Sequence, residues 1–216
     1  MIRKKAKEML GKFFDLDNGL FRFLGRMGDI IGLNILFVIT SIPIITIGAG
    51  VTAMYDVSFR MIKNEESYIV KGYFSAMKSN FKKSTLMWLS IAALYIILLM
   101  DIKVSNVYTS TIWSIAHYLL VLVFIILCMV ASYVFALQAK YENTYFQTLK
   151  TALLMSIRYL PTTVMILIFN AILPFCMIWS NATLFHGMIA YAFFGFALVT
   201  FINSVILSRL FEKHFK

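Results

Sequence analysis

Charge is scarce in this sequence. Acidic and basic side chains make up 14% of its 216 residues, against about 25% in soluble globular domains. Cysteine and histidine are rarer still, and each shortage removes a class of chemistry. Cys128 and Cys176 both lie inside apolar runs, where a free thiol behaves as a small hydrophobe. Neither a disulfide framework nor a CxxC metal knuckle is available. His117, His186 and His214 are scattered, with no carboxylate or cysteine at ligand spacing, so no metal site is expected. No HExxH, P-loop, GxSxG or GxGxxG string occurs, and no nucleophile–base pair stands out. The chain is therefore not expected to be an enzyme or to hold a cofactor. The basic N-terminus is not followed by a short apolar region with a small-residue cleavage site, so no secretory signal is expected.

What is abundant is apolar surface: 61% of the residues are hydrophobic. A soluble domain of this length has too high a surface-to-volume ratio to hide that much, and lipid can cover it. The net charge of +10 would suggest nucleic acid in a soluble protein. Here the lysines and arginines flank apolar runs, as in the cytoplasmic loops of membrane proteins, and no nucleic acid is expected.

Distances between charges locate the spans. No Asp, Glu, Lys or Arg occurs between Lys83 and Asp101, between Lys103 and Lys140, or between Arg158 and Arg209. A spanning helix needs about 20 apolar residues. The gaps predict a short span over Ser84–Met100, one over Ile112–Leu137, and two over Tyr159–Ile178 and Thr183–Ser208, with a turn at Ser180–Asn181. Between Asp29 and Asp56 two readings stand. One is a single helix kinked near Pro43. The other is a tight hairpin returning from about Ile47, with Pro43, Gly48 and Gly50 supplying the bend.

Basic residues discriminate between them. They fall in segments holding Arg3 to Arg26 (seven), Arg60 to Lys83 (six), Lys103 alone, then Lys140, Lys150 and Arg158, and finally Arg209, Lys213 and Lys216. Five spans divide them 8 against 12 between the two sides, which is almost no bias. A hairpin and six spans divide them 19 against 1, and the positive-inside rule makes the rich side the cytoplasm. The expected fold class is thus all-α, a polytopic membrane protein of about six transmembrane helices with both termini cytoplasmic. A re-entrant hairpin that stops short of the far leaflet satisfies the same count. In either case Asp56 and Arg60, four residues apart, share a helix face and can pair.

The chain reads as one transmembrane domain, 1–216. Residues 1–27 form a basic amphipathic segment suited to the inner leaflet, and 63–83 and 138–152 form cytoplasmic elbows. The elbows share a faint repeat, Tyr73-Phe-Ser-Ala-Met-Lys78 and Tyr145-Phe-Gln-Thr-Leu-Lys150, as a duplicated unit would leave. Polar residues within spans are the default functional candidates, because hydrocarbon makes them expensive. Asn34, Asn170 and Asn203 qualify, although amides more often bridge helices. The candidate ligand or structural polar positions are Asn34, Pro43, Thr46, Gly48, Asp56 and Arg60.

The stretch Leu33-Asn-Ile-Leu-Phe-Val-Ile-Thr-Ser-Ile-Pro-Ile-Ile-Thr-Ile-Gly-Ala-Gly-Val-Thr-Ala-Met-Tyr55 resembles the hallmark of the YesL family, small bacterial membrane proteins carrying a domain of unknown function. Asn18-Gly-Leu-Phe-Arg-Phe-Leu-Gly-Arg26 and Phe74-Ser-Ala-Met-Lys-Ser-Asn-Phe-Lys82 also fit its pattern. Gly50 departs from it, since a second alanine is expected there. The resemblance covers roughly residues 18–84. It implies a Gram-positive source and a gene set near sugar ABC transporters, sugar sensors and glycoside hydrolases. An accessory role in carbohydrate uptake follows by association, with transporter subunits or a membrane sensor as partners. The family supplies no catalytic residues to carry across. A solute channel or transporter in its own right is the other expectation, drawn from the repeat and the Pro/Gly-broken first hairpin.

Overall fold

The computed structural model describes residues 19–65, 68–105, 111–178, 187, 189 and 191–214. The N-terminal segment through Asn18 and the turn expected at Ser180–Asn181 lie outside the described residues, as does His186. All regular structure among the described residues is helical: α1 (Gly19–Thr40), a short 3-10 turn (Ile44–Thr46), α2 (Ile47–Ile62), α3 (Ile69–Ser105), α4 (Thr111–Lys140), α5 (Tyr145–Arg158), α6 (Leu160–Ile178), a π-helical turn (Tyr191–Gly195) and α7 (Phe196–His214).

Three described segments are long and apolar enough to cross a bilayer, Ile69–Ser105, Trp113–Lys140 and Tyr191–Lys213. A fourth is added if α5 and α6, bent 101° apart, are one broken span. The all-α membrane class expected from composition is therefore present. The first hairpin, counted above as two spans, does not meet this criterion. Helix α1 carries Arg22, Arg26 and Asp29 in its first half. Helix α2 has 16 residues, about 24 Å at 1.5 Å per residue, which is short of a hydrocarbon core of about 30 Å.

The short helix is nonetheless the hub. Ten residues of α2 are buried, from Gly48 through Phe59. On one side, Met54 and Val57 pack with Ile30, Leu33 and Phe37 of α1 and Tyr73 of α3. On the other, Tyr55 and Phe59 join Met87 and Ile91 of α3, the Val130–Leu137 stretch of α4, and Leu207 and Phe211 of α7. Its C-terminus is a Schellman stop: the Asn64 N–H donates to Met61 O, the Glu65 N–H donates to Arg60 O, and Asn64 takes φ 53°. Asparagine tolerates that left-handed conformation better than most residues.

Glycines 48 and 50 do not make the bend. Both are helical, and no glycine among the described residues has positive φ. The turn is made by Ser41–Pro43 and the 3-10 residues after it, where Thr46 donates from N (2.9 Å) and Oγ1 (2.6 Å) to Pro43 O. Thr46 Oγ1 also donates to Thr40 O. The Thr40 hydroxyl meets the Tyr73 hydroxyl at 2.6 Å, and Trp88 Nε1 donates to Ile44 O at 2.9 Å. Proline cannot donate, so the chain turns where the helix would otherwise need an amide.

These bonds also set the depth of the hairpin. Its lower end is level with Asn64, because Arg26 Nη2 donates to Asn64 Oδ1 (2.6 Å). Its apex is level with Trp88, and α3 runs on for 17 residues beyond that, about 25 Å. The lower ends of α2, α4 and α7 meet where Lys140 Nζ lies 5.4 Å from the Phe59 ring and 5.2 Å from the Phe211 ring. From that level α2 rises only about half the length of the 30-residue α4.

The elbows divide differently from expectation. Most of 63–83 is not a separate unit, because α3 starts at Ile69 and is continuous to Ser105. Of residues 138–152, the first three end α4, and Tyr145 opens a separate helix, α5, through a Thr144–Gln147 capping box. It ends at Tyr159, and Thr163 Oγ1 ties the bend by donating to Ser156 O (2.8 Å) and meeting the Tyr133 hydroxyl of α4 at 2.8 Å. The two repeat tyrosines are used alike. Tyr73 bonds Thr40 and Tyr145 bonds Ser90 (2.7 Å), each with an exposed phenylalanine edge-on beside it.

Candidate functional site: a neutral chamber inside the bundle

The six sequence candidates fall in three separate places. Pro43, Thr46 and Gly48 build the hairpin apex. Gly48 lets α2 and α3 touch: a Cβ there would lie 2.5 Å from Ser84 O and closer still to Trp88 Cβ. Thr52, one turn on, donates to Ser84 Oγ at 2.9 Å.

Asp56 and Arg60 lie at the opposite end of α2, paired at 2.8 Å. They border a cavity of about 170 Å³ shared with Lys63, Glu65, Lys140 and Glu212, so three carboxylates face three cations. The pair is partly solvated, and pairs of that kind contribute about 0.2–1 kcal/mol. Asp56→Asn is expected to lower the melting temperature by about 2–4 °C, the shift for about 1 kcal/mol in a chain this size. In a double-mutant cycle with Arg60→Gln, the two losses should be less than additive; strict additivity would mean the pair is not coupled.

Asn34 is fully buried on α1. Its Nδ2 donates to Ala192 O at 2.5 Å and reaches Tyr191 O at 3.5 Å, while its Oδ1 accepts from the Ala197 N–H at 2.8 Å. A π-turn breaks the i→i−4 ladder and frees backbone groups, and one amide carries both the donor and the acceptor to receive them. Asn34 therefore splints the entry to α7.

The π-turn opens onto a chamber of about 470 Å³ between α1, α2, α3, α4, α6 and α7. Its polar wall is formed by Tyr55, Tyr95, Ser132, Asn170, Thr200 and Asn203, with Phe37, Phe135, Tyr191 and Phe196 adding aromatic faces. Among the described residues, no Asp, Glu, Lys, Arg or His lines it. Thr200 and Ser132 spend their protons on their own helices, donating to Phe196 O (2.8 Å) and Cys128 O (2.9 Å). Asn203 Nδ2 donates to Asn170 Oδ1 at 2.8 Å, closing α7 onto α6. Asn203 is 2% exposed, and its Oδ1 has no hydrogen-bond partner. Leaving such an acceptor empty costs about 1–3 kcal/mol.

The sequence marks Asn170 and Asn203 as polar residues within spans, but 33 residues of intervening chain hide that they meet. Tyr55 ends the motif-rich stretch and Tyr95 lies mid-span, and neither carries a sequence signal for a shared wall. His117 bonds Ser105 Oγ at 2.9 Å and is not among the residues lining the chamber.

A family model described as "Protein of unknown function, DUF624" matches residues 30–102. Those residues comprise the second half of α1, the apex, α2 and nearly all of α3. The match supports a family of domains of unknown function over this stretch. No curated protein and no solved structure matches the chain.

Proposed function

We propose that this integral membrane protein is a non-enzymatic component of carbohydrate uptake that holds a neutral, hydroxyl-rich ligand in the chamber. The observation that carries this reading is the wall itself, in which Tyr55, Tyr95, Asn170 and Asn203 bring phenol and amide groups to one space with no charged side chain among the described residues. Sugar hydroxyls bond amides and phenols, and sugar C–H faces stack on aromatic rings; charge is not needed. The volume of about 470 Å³ lies within the range of about 300–1,000 Å³ usual for small-molecule sites. The resemblance to a family linked with sugar transport genes supports the same class.

In this reading four helices cross the bilayer, α3, α4, α6 and α7, and the α1–α2 hairpin is re-entrant from the cytoplasmic side. Both termini are cytoplasmic, and the partner is an ABC-type transporter subunit or a membrane sensor. Thiol labelling of single cysteines supports this topology if position 43 stays shielded from impermeant reagent on the outer face and positions 63 and 142 react from the inner face. Outer-face labelling at 43 sinks it.

The direct test is equilibrium binding of labelled malto- and xylo-oligosaccharides to the purified chain. Asn203→Leu should weaken a sugar that binds by at least tenfold, because hydrogen-bonding sites reject ligands sharply when a partner is removed. If no neutral oligosaccharide binds at millimolar concentration, the sugar reading falls. The second reading, a solute carrier in its own right, is favoured by the chamber lying inside the bundle. Flux into proteoliposomes containing this chain alone would establish it, whereas recovery of transporter subunits in mild detergent without flux favours the accessory role.

A further inference from the structure

A larger groove lies elsewhere. It lies between the hairpin apex and the first half of α3, with a volume of about 1070 Å³. Its floor is apolar, built from Ile39, Pro43, Phe74, Met77 and Phe81, and its rim carries Lys78, Lys82 and Lys83. Among the described residues, no acidic side chain lines it. Lys83 Nζ reaches Asn143 O (3.2 Å), and neither Lys78 nor Lys82 takes part in a salt bridge among the described residues. Phe74 and Ile39 are half exposed, and the isoleucines at 42, 44 and 45 beside the groove are more than half exposed.

An apolar trough ending in uncompensated cations matches one kind of molecule well: an acyl chain that carries a negative headgroup. We infer that this groove is a binding site for an anionic phospholipid, with the phosphate held by Lys78 and Lys82 and an acyl chain running from there toward the apex along Phe81, Ile39 and Pro43. Residues 78 and 82, one helical turn apart, present both ammonium groups on the same face. The apex beside Pro43 supplies the second wall. The N-terminal segment of the chain is a poor occupant, since Arg3, Lys4, Lys5 and Lys7 would meet like charge. A second copy presenting the same basic face is a poor occupant for the same reason.

Native mass spectrometry of the full chain released from nanodiscs of equal phosphatidylglycerol and phosphatidylcholine tests this. The wild type should retain phosphatidylglycerol in preference to phosphatidylcholine. Lys78→Gln with Lys82→Gln should reduce that preference by about 30-fold, each lysine giving about fivefold near an anionic surface. Lys78→Arg with Lys82→Arg should keep it. Ile39→Ser, at an exposed position near the apex, should also reduce phosphatidylglycerol retention, which separates a lipid site from a site for a free anion. Equal retention of both lipids by the wild type, unchanged preference in the double glutamine variant, or displacement of the lipid by millimolar inorganic phosphate would each overturn the assignment.

Discussion

Gly48→Ala is expected to cost on the order of 3 kcal/mol, the upper part of the range for overpacking, and to lower the melting temperature by about 6–12 °C. The new methyl group would meet the Ser84 carbonyl and the Trp88 Cβ. One is backbone and the other is the root of its side chain, so neither can swing aside. Helices α2 and α3 would have to separate. That separation would stretch the Thr52–Ser84 bond and the Trp88–Ile44 bond, which pin the apex. Gly50→Ala is the control. A Cβ there meets the Tyr73 hydroxyl at 3.0 Å and the Phe37 ring at 3.1 Å, both outer ends of side chains that can shift by tenths of an ångström. Its cost should stay below about 1 kcal/mol. Fluorescence-monitored melting in detergent measures both, and equal shifts for the two variants would refute the close-approach role of Gly48.

Asn34→Leu is expected to cost about 3–5 kcal/mol, with a fall in melting temperature of 10 °C or so. The substitution keeps the apolar volume but strands Ala192 O and the Ala197 N–H, both of which lack water at that depth. Asn34→Asp should be comparably harmful, since an ionised carboxylate can accept from Ala197 but would face two carbonyl oxygens with no proton to offer. Asn34→Gln should recover little, because the amide would be displaced by a methylene. If the leucine variant melts within 2 °C of the wild type, the splint is not holding the π-turn.

The membrane class and most helix positions were legible because hydrocarbon imposes a long-range rule, the absence of charge over about 20 residues. The gaps after Lys103 and Arg158 correspond closely to α4 and α6. Lysine parity correctly required the first apolar stretch to turn back, and Pro43 marks where it does. The depth of that hairpin was not legible, since it depends on register against α3: Gly48 opposite Ser84, and Ile44 opposite Trp88. The same register explains why α3 extends back through Lys78 and Lys82 to Ile69 rather than beginning at the membrane. Gly48 and Gly50 read as bend residues because glycine signals a turn and a close helix contact equally well, and only a neighbour decides which. Asp56 and Arg60 were legible as a pair from their spacing alone. The chamber was not, because its polar groups arrive from helices far apart in the chain and each amide looks like an ordinary bridge until its partner is placed.

The central position of α2 has a consequence for biosynthesis. This helix is complete when the ribosome has made residue 62, yet the side chains that cover Phe59 and Tyr55 come from α4 and, last of all, from Leu207 and Phe211 near the C-terminus. The nascent hairpin must therefore wait, partly uncovered, until the final helix is released. A chain truncated before α7 would expose that face permanently and present itself to membrane quality-control proteases, however sound its first six helices.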